Sequence, residues 1–356
     1  MKLVVYSDLH AHPFKGGQIL AEGRNSRVDD ALGVIDTVYA YAENIEATVI
    51  FGGDLFDRRK SIDVDTYNKV HQTISDHTAR AVMIPGNHDQ ANKSGTIHAL
   101  ERFHSKRCQV VSDPSWTKIQ GGGSVLGVFA VPYTDDGEII ASQVAEGIDR
   151  RPEWAEKALL LMHYGVQGAK VGPSDYVLPC ELELPMLQPS QWDLILSGHY
   201  HIGQQLGDRF HYIGSAMQHR WDDMGFSKTF MVIDTDDWSI DRVSTGAPEF
   251  LVVKGKTAEH NVENCFIKII RDYEMEPAKK EKIRRKLLDR GAVSVIFDFE
   301  PSKVNKQKSS RIEFSEDRGV FGILEDYIGS DLVGTGDLDT DKLISVGKEL
   351  LEQASA

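Results

Sequence analysis

Short, mostly apolar runs alternate with longer polar stretches through the first 235 residues. The runs are Leu3–Tyr6, Thr48–Phe51, Ala81–Ile84, Gly127–Val131, Ala158–Met162 and Leu194–Leu196. Continuous apolar runs of this length predict strands buried on both faces, as in a parallel sheet covered by helices. Helices are predicted between several of them. In residues 27–43, Val28, Leu32, Ile35, Val38 and Tyr39 recur at helical spacing, and 63–79 and 138–149 follow the same pattern. This alternation predicts an α/β domain with crossover connections. Residues 210–213 and 228–234 are expected to add further strands, of antiparallel sense.

The pattern changes after residue 240. Residues 264–271 predict a strand, 276–290 a basic helix and 292–299 another strand, together a small β-α-β-like module. Residues 301–311 are polar and basic and predict a linker. Helices are expected at 318–328 and 339–353, separated by the glycine-bearing stretch 329–337. The expected domains are therefore 1–240, 241–311 and 312–356.

Charge sharpens this division. The whole chain carries a net −14, which excludes a basic nucleic-acid coat protein. Residues 251–311 nevertheless hold 15 Lys/Arg against 9 Asp/Glu, and 312–356 hold 3 against 11. A local basic module of this kind is compatible with nucleic acid, although a solvated face is the default for a Lys/Arg-rich helix. Cys108, Cys180 and Cys265 are far apart. They exclude a disulfide scaffold and a cysteine-based zinc site, and they fit a reducing cytoplasm. No run is long enough to predict a membrane span, and the first apolar stretch is too short for a signal peptide.

The informative residues follow the predicted strands. LVVYS leads to Asp8 and His10, TVIFGG to Asp54 and Asp57, AVMIPG to Asn87, His88 and Asp89, ALLLM to His163, and LILSG to His199 and His201. In open α/β sheets ligands bind beyond the carboxyl ends of the strands, so these groups are expected to converge. Gly52-Gly53, Gly86 and Gly198 stand immediately before candidate ligands, where glycine permits the sharp turn that aims a side chain. The donor set mixes carboxylate, amide and imidazole without thiolate, which suits Mn, Fe or Zn. Seven donors exceed the needs of one tetrahedral ion and suffice for two ions sharing a carboxylate. Two ions ~3.5–4 Å apart clamp the attacking and leaving oxygens of an in-line phosphoryl displacement.

These residues resemble the five-motif signature of calcineurin-like metallophosphoesterases. The strings YSDLH, GGDLFDRRKSI, IPGNHD, LMHYGVQGA, LSGHYH and YIGSAMQHRW are similar to one branch of that superfamily. That branch is the nuclease subunit of double-strand-break repair complexes, the SbcD-type exonucleases and their phage recombination counterparts. The resemblance spans about residues 1–235 and implies a four-layer α/β sandwich with flanking helices, a small α+β capping domain and C-terminal helices. It implies that Asp8, His10, Asp54 and His201 hold one divalent ion. Asp54 would bridge to a second, held also by Asn87, His163 and His199. Manganese is the implied metal, with Mg, Fe and Zn compatible. His88 would approach the scissile phosphate, stabilising the transition state or protonating the leaving oxygen. Asp57 or Asp89 would orient a histidine. Some family members carry histidine where this chain has Asp57, so that histidine's role does not transfer.

The resemblance further implies a DNA exo- and endonuclease of recombination and repair. Lys279, Lys280, Arg284 and Arg285 of the basic helix would hold duplex backbone. The implied partners are a second copy of this chain and an ATPase subunit of the structural-maintenance-of-chromosomes type, in a heterotetramer. The C-terminal helices, with Leu343, Val346, Leu350 and Leu351 as an apolar stripe, would dock on that ATPase. The setting is the cytoplasm, a host's if the chain is phage-encoded, as its compact cap and short tail favour.

Other residues carry weaker signals. Arg58, Arg59 and Lys60 follow the second motif and either meet phosphates or form a solvated loop. Tyr164 and Tyr200 either stack on a base or pack. His12, His71, His77, His98, His104, His211, His219 and His260 are expected at the surface or satisfied locally. Two alternatives compete: a phosphatase or small-molecule phosphodiesterase of the same fold, and a non-catalytic scaffold. The scaffold predicts missing ligands, and none is missing.

Overall fold

The computed structural model describes residues 1–299 and 339–355, except 15–16, 21–22, 93–94, 96, 122, 172–181 and 255–258. The expected linker 301–311, helix 318–328 and separator 329–337, and Cys180, lie outside the described residues.

Strands are numbered in chain order. The first sheet contains β1 (Lys2–Tyr6), β2 (Thr48–Phe51), β3 (Ala81–Met83), β4 (Cys108–Val110), β11 (Thr229–Asp234) and β12 (Ser239–Ser244), in the order β12-β11-β1-β2-β3-β4. The second contains β5 (Ser115–Gly121), β6 (Ser124–Val131), β7 (Lys157–His163), β8 (Leu194–Gly198), β9 (Gln204–Leu206) and β10 (Phe210–Tyr212), in the order β5-β6-β7-β8-β10-β9. Strands β1 to β4 run parallel, as do β6, β7 and β8, so their ligand-bearing ends share a direction within each sheet. β11 is antiparallel to β1 and β10 to β9, as expected, while β10 is parallel to β8 on its other side. β12 carries the first sheet on to Ser244, past residue 240.

Alternation along each strand builds the layers. Leu3, Val5 and Ile50 of the first sheet pack with Leu126, Val128, Leu159, Leu161 and Leu196 of the second in one buried core. Val4, Tyr6, Val49 and Phe51 face the other way, onto helix α1 (Ser26–Asn44) and helix α2 (Val64–Asp76). Leu160, Met162 and Ile195 face helix α3 (Gly137–Asp149) through Ile140 and Val144. The fold is thus a mixed α/β sandwich in four layers, and its central strands are apolar throughout because both faces are covered. Strands β4, β5, β9 and β12 escaped the sequence pattern because each is three residues long or interrupted by exposed polar positions.

The third sheet joins β13 (Glu249–Val253), β14 (Cys265–Arg271) and β15 (Ser294–Phe299), all parallel, with helix α4 (Pro277–Leu288) against them. Pro277 opens α4, where its missing N–H is not needed. Leu287 and Ile283 pack on Val253, Ile267, Ile269 and Val295. This cap is tied to the sandwich by the buried Arg27, whose guanidinium lies 5.7 Å from the Phe250 ring centre and 5.3 Å from that of Phe266. Trp221 packs on Phe250 at 4.7 Å between ring centres. Residues 1–299 form one compact unit. Of the second unit, 300–356, helix α5 (Thr340–Ser355) is described.

Candidate metal centre

The seven candidate ligands come together at the carboxyl ends of β1, β2, β3, β7 and β8. Asp8, Asp54, Asn87, His10 and His163 are buried. His10 Nε2 lies 3.2 Å from His201 Nε2, 3.9 Å from Asp8 Oδ1 and 3.7 Å from Asp54 Oδ2. His163 Nε2 lies 3.3 Å from the same Asp54 oxygen and 3.1 Å from Asn87 Oδ1. His199 Nδ1 lies 3.0 Å from Asn87 Oδ1. Asp54 Oδ2 therefore lies between His10 and His163, within 3.7 Å of both.

The backbone is bent to achieve this. Asp8, His10, Asp54 and His199 all have positive φ, at 52°, 47°, 60° and 87°. Such conformations cost of order 1–3 kcal/mol each and persist where surrounding structure over-determines them. Here Asp8 N donates to Gly53 O at 2.9 Å and His10 N to Asp54 O at 3.0 Å, locking the two loops together. Gly86 is needed for close approach: a Cβ there would collide with the Asp54 carboxylate and come within 2.6 Å of the Asp54 nitrogen.

The donor set fits divalent cations. His163 Nδ1 donates to Gly52 O at 2.6 Å, which leaves Nε2 as the nitrogen facing the two oxygens and free to take a cation. The Asn87 oxygen faces His163 and His199 and, at 3.3 Å, Asp54, where its amide turned over would offer two N–H groups in place of the oxygen. Oxygens and imidazole nitrogens converging on one spot describe a cation cradle. Without a cation, a proton on His163 takes its place beside Asp54. Burial opposes charge on His163, yet the Asp54 carboxylate pushes its imidazolium up to about 9. Burial, reinforced by His163, pushes His199 down to about 3. Burial opposes the Asp54 charge too, but His163 and His10 outweigh it and hold the carboxyl below the usual range.

His88 and Asp89 divide the work of the third motif. Asp89 Oδ2 accepts from Asp54 N at 2.8 Å and Gly86 N at 3.0 Å, and Oδ1 from Leu55 N at 2.9 Å and Phe56 N at 3.1 Å. It braces the loop that carries Asp54. Burial and the Asp54 charge push Asp89 up to about 7, against these four donors. His88 is partly buried; its backbone N–H donates to Asp54 Oδ1 at 2.7 Å and its Nδ1 to the Asp57 carbonyl. The Asp57 carboxylate lies 3.9 Å from His10 Nδ1, a buried nitrogen without a hydrogen-bond partner. His88, His10, Asp57, His199 and His201 line one cleft of about 480 Å³, with Lys170, Tyr200, His219 and Arg220.

Other sequence candidates fall elsewhere. Arg58 lines a separate cavity of about 320 Å³ with His12, Phe56 and Asp63. Arg59 is the arginine that reaches the ligands, its Nη2 lying 3.2 Å from the outer end of the Asn87 amide. Adjacent residues of a turn point in different directions, so the motif could not distinguish them. Tyr164 and Tyr200 pack on His199, at 6.5 and 5.1 Å between ring centres. Lys279, Lys280, Arg284 and Arg285 are not part of the cleft lining. Lys279 stands over Tyr273, and Arg284 and Arg285 both pair with Glu281, at 2.8 and 3.1 Å. His219, expected to be satisfied locally, donates to Asp8 O at 2.9 Å from beside the cluster. Sequence reasoning missed Asp223 and Lys228; the signal for Asp223 was the stretch continuing past the last motif string into WDD, and Lys228 had none. The described residues include no helix long and apolar enough to cross a membrane.

Comparison with known proteins places this geometry in a family. A family described as calcineurin-like phosphoesterase matches residues 1–203. A protein described as a phosphoesterase, 078R, of Invertebrate iridescent virus 3 is 24% identical over 271 residues, covering 71% of this chain and 75% of the viral one. Among solved structures, the purple acid phosphatase PPD1 from yellow lupin (Lupinus luteus) seeds aligns at TM-score 0.43 and 12% identity, over 68% of this chain and 51% of the other. The 5'-nucleotidase precursor from Thermus thermophilus aligns at TM-score 0.37 and 14% identity, over 68% and 53%. This chain thus spans about half the length of either of those two structures. Family members use a dinuclear metal centre, and the residues to hold one are present here. The chain belongs to the calcineurin-like phosphoesterase family of metal-dependent phosphoester hydrolases.

Proposed function

We propose that this chain is a manganese-dependent DNA exo- and endonuclease, the nuclease subunit of an ATPase–nuclease complex in recombination and repair. The observation that carries the chemistry is the setting of His88. Its Nδ1–H is committed to the Asp57 carbonyl, so Nε2 is the nitrogen that moves a proton in the cleft. Two bound divalent ions supply charge neutralisation at the phosphoryl oxygens and an activated water. Asp8, His10, Asp54 and His201 would hold one ion, and Asp54, Asn87, His163 and His199 the other. His88 would donate its proton to the leaving oxygen. Arg59, at the rim of the ligand cluster, would meet a phosphate oxygen.

Preference for a polymer is supported by the cap. Arg285 keeps its side chain 77% exposed on α4, the helix that also carries Lys279 and Lys280, and would touch backbone phosphates distant from the scissile one. The acidic C-terminal segment and α5 would serve the ATPase partner, and a second copy of the chain would complete the heterotetramer.

The test compares linear duplex DNA, a nucleotide phosphodiester and a phosphoprotein as substrates with Mn²⁺. Cut DNA supports the reading. Rapid turnover of the small diester or the phosphoprotein, with DNA intact, rejects it in favour of a phosphatase or small-molecule phosphodiesterase. Co-purification from the native host with an ATPase tests the assembly.

A further inference from the structure

We propose that Asp223 and Lys228 form a buried positioning pair that sets the tautomer and place of His201, and so governs one of the two metal ions. The proposal rests on reading His201 as a ligand and deepens it. His201 Nε2 points at His10 Nε2, 3.2 Å away, and is the nitrogen that would hold an ion. Its other nitrogen, Nδ1, faces Asp223 Oδ1 at 3.8 Å. A metal-binding imidazole needs its second nitrogen protonated and held by an acceptor, and a carboxylate is the usual one.

Asp223 is itself fixed. Its Oδ2 accepts from His219 N at 2.7 Å and Arg220 N at 3.1 Å, leaving Oδ1 for His201. Lys228, 5% exposed, completes the arrangement. Its Nζ donates to the His201 carbonyl at 3.0 Å and to Ser215 Oγ at 2.8 Å, and lies 3.8 Å from Asp223 Oδ1. Burying such a pair is expensive, and well-packed apolar side chains often serve stability equally well. All these directed contacts end on the His201 turn or on the segment beside it, so positioning is what the pair provides. Trp221, two residues before Asp223, packs on Phe250 of the cap, which seats this segment from its other side.

The experiment titrates full-length protein with Mn²⁺ by calorimetry. Wild type is expected to bind two ions. Asp223→Asn keeps one oxygen for the two backbone N–H groups but turns an NH₂ toward His201, favouring the wrong tautomer. It should bind one ion normally and the other 10–100-fold more weakly. Histidine ¹⁵N NMR of the metal-free variant should show His201 changing from the Nδ1–H to the Nε2–H form. Lys228→Met should weaken the same ion several-fold while leaving the Asp223 contacts in place. Wild-type binding of both ions by a folded Asp223→Asn protein overturns the proposal; should that variant not fold, wild-type binding by Lys228→Met overturns it. A wild-type protein that binds no Mn²⁺ would instead reject the metal-centre reading itself.

Discussion

Removing the Asp89 carboxylate should both destabilise the fold and disorganise the metal centre. Asp89 is 1% exposed and accepts four backbone N–H groups, from Asp54, Leu55, Phe56 and Gly86. Hydrogen bonds to a charged group contribute roughly 1.5–3 kcal/mol each, and a buried donor left without its acceptor costs about 1–3. The four share one acceptor group and do not add, so Asp89→Ala should cost about 4 kcal/mol, near the upper range for one substitution. Asp89→Asn retains one oxygen and two of the bonds, and sets an NH₂ against the other two donors, for a cost of about 2–3 kcal/mol. The assay is urea unfolding of metal-free protein at pH 8, followed by tryptophan fluorescence, with slopes compared to exclude a change in the unfolded state. The same loop holds Asp54 at φ 60°, so Mn²⁺ affinity should fall in whatever fraction remains folded. If Asp89→Asn unfolds within about 0.5 kcal/mol of wild type and binds Mn²⁺ as tightly, the brace is not what fixes Asp54.

Four further outcomes follow from the geometry. His88→Ala should lower the turnover number by about 10²–10⁴ while Mn²⁺ binding by calorimetry stays at two ions; full activity would remove His88 from the proton transfer. Arg59→Ala should raise KM about tenfold with little change in kcat, and Arg58→Ala should do less; the reverse order in steady-state assays would reassign the phosphate contact. Gly86→Ala should cost about 1–3 kcal/mol in urea melts and weaken Mn²⁺ binding, because its Cβ meets Asp54. Glu43 ties the end of α1 to the loop between α2 and β3 through Thr78 and Ala79, and the Thr78 N–H above all holds its carboxyl down at about 2. Its contribution is complete above the unfolded value of about 4.3 and is lost as pH falls from there toward 2. Glu43→Gln should therefore be about 1 kcal/mol less stable than wild type at pH 6 and converge with it near pH 2, and a constant difference across that window would refute the linkage.

The ligand set was legible because each ligand lies within a few residues of a strand end. Once β1, β2, β3, β7 and β8 are recognised, parallel pairing carries their ends to one side of each sheet, and Asp8, Asp54, Asn87, His163 and His199 must gather. Strand β13 has an apolar run, Phe250–Val253, that sequence reasoning missed, whereas β12 was less legible because its half-exposed edge leaves no continuous apolar run. Asp223 and Lys228 were less legible for a different reason: they follow no strand end as candidate ligands, and packing, not spacing, brings them to His201, Ser215, His219 and Arg220. The same distinction explains the positive φ of the ligands. The sequence offers the sharp turns to Gly52-Gly53, Gly86 and Gly198; of these only Gly53 has positive φ, while Asp8, His10, Asp54 and His199 adopt it as well. Four strained residues of order 1–3 kcal/mol each cannot be sustained by local preference. They are held by contacts between loops: Asp8 N on Gly53 O, His10 N on Asp54 O, Asp89 beneath Asp54, and the Asp8 carboxylate receiving the His199 N–H at 3.1 Å. Each loop is therefore braced by another that itself carries a ligand. The metal centre is consequently a cooperative unit, and a substitution in one loop should reach donors on the others before it reaches the sheets.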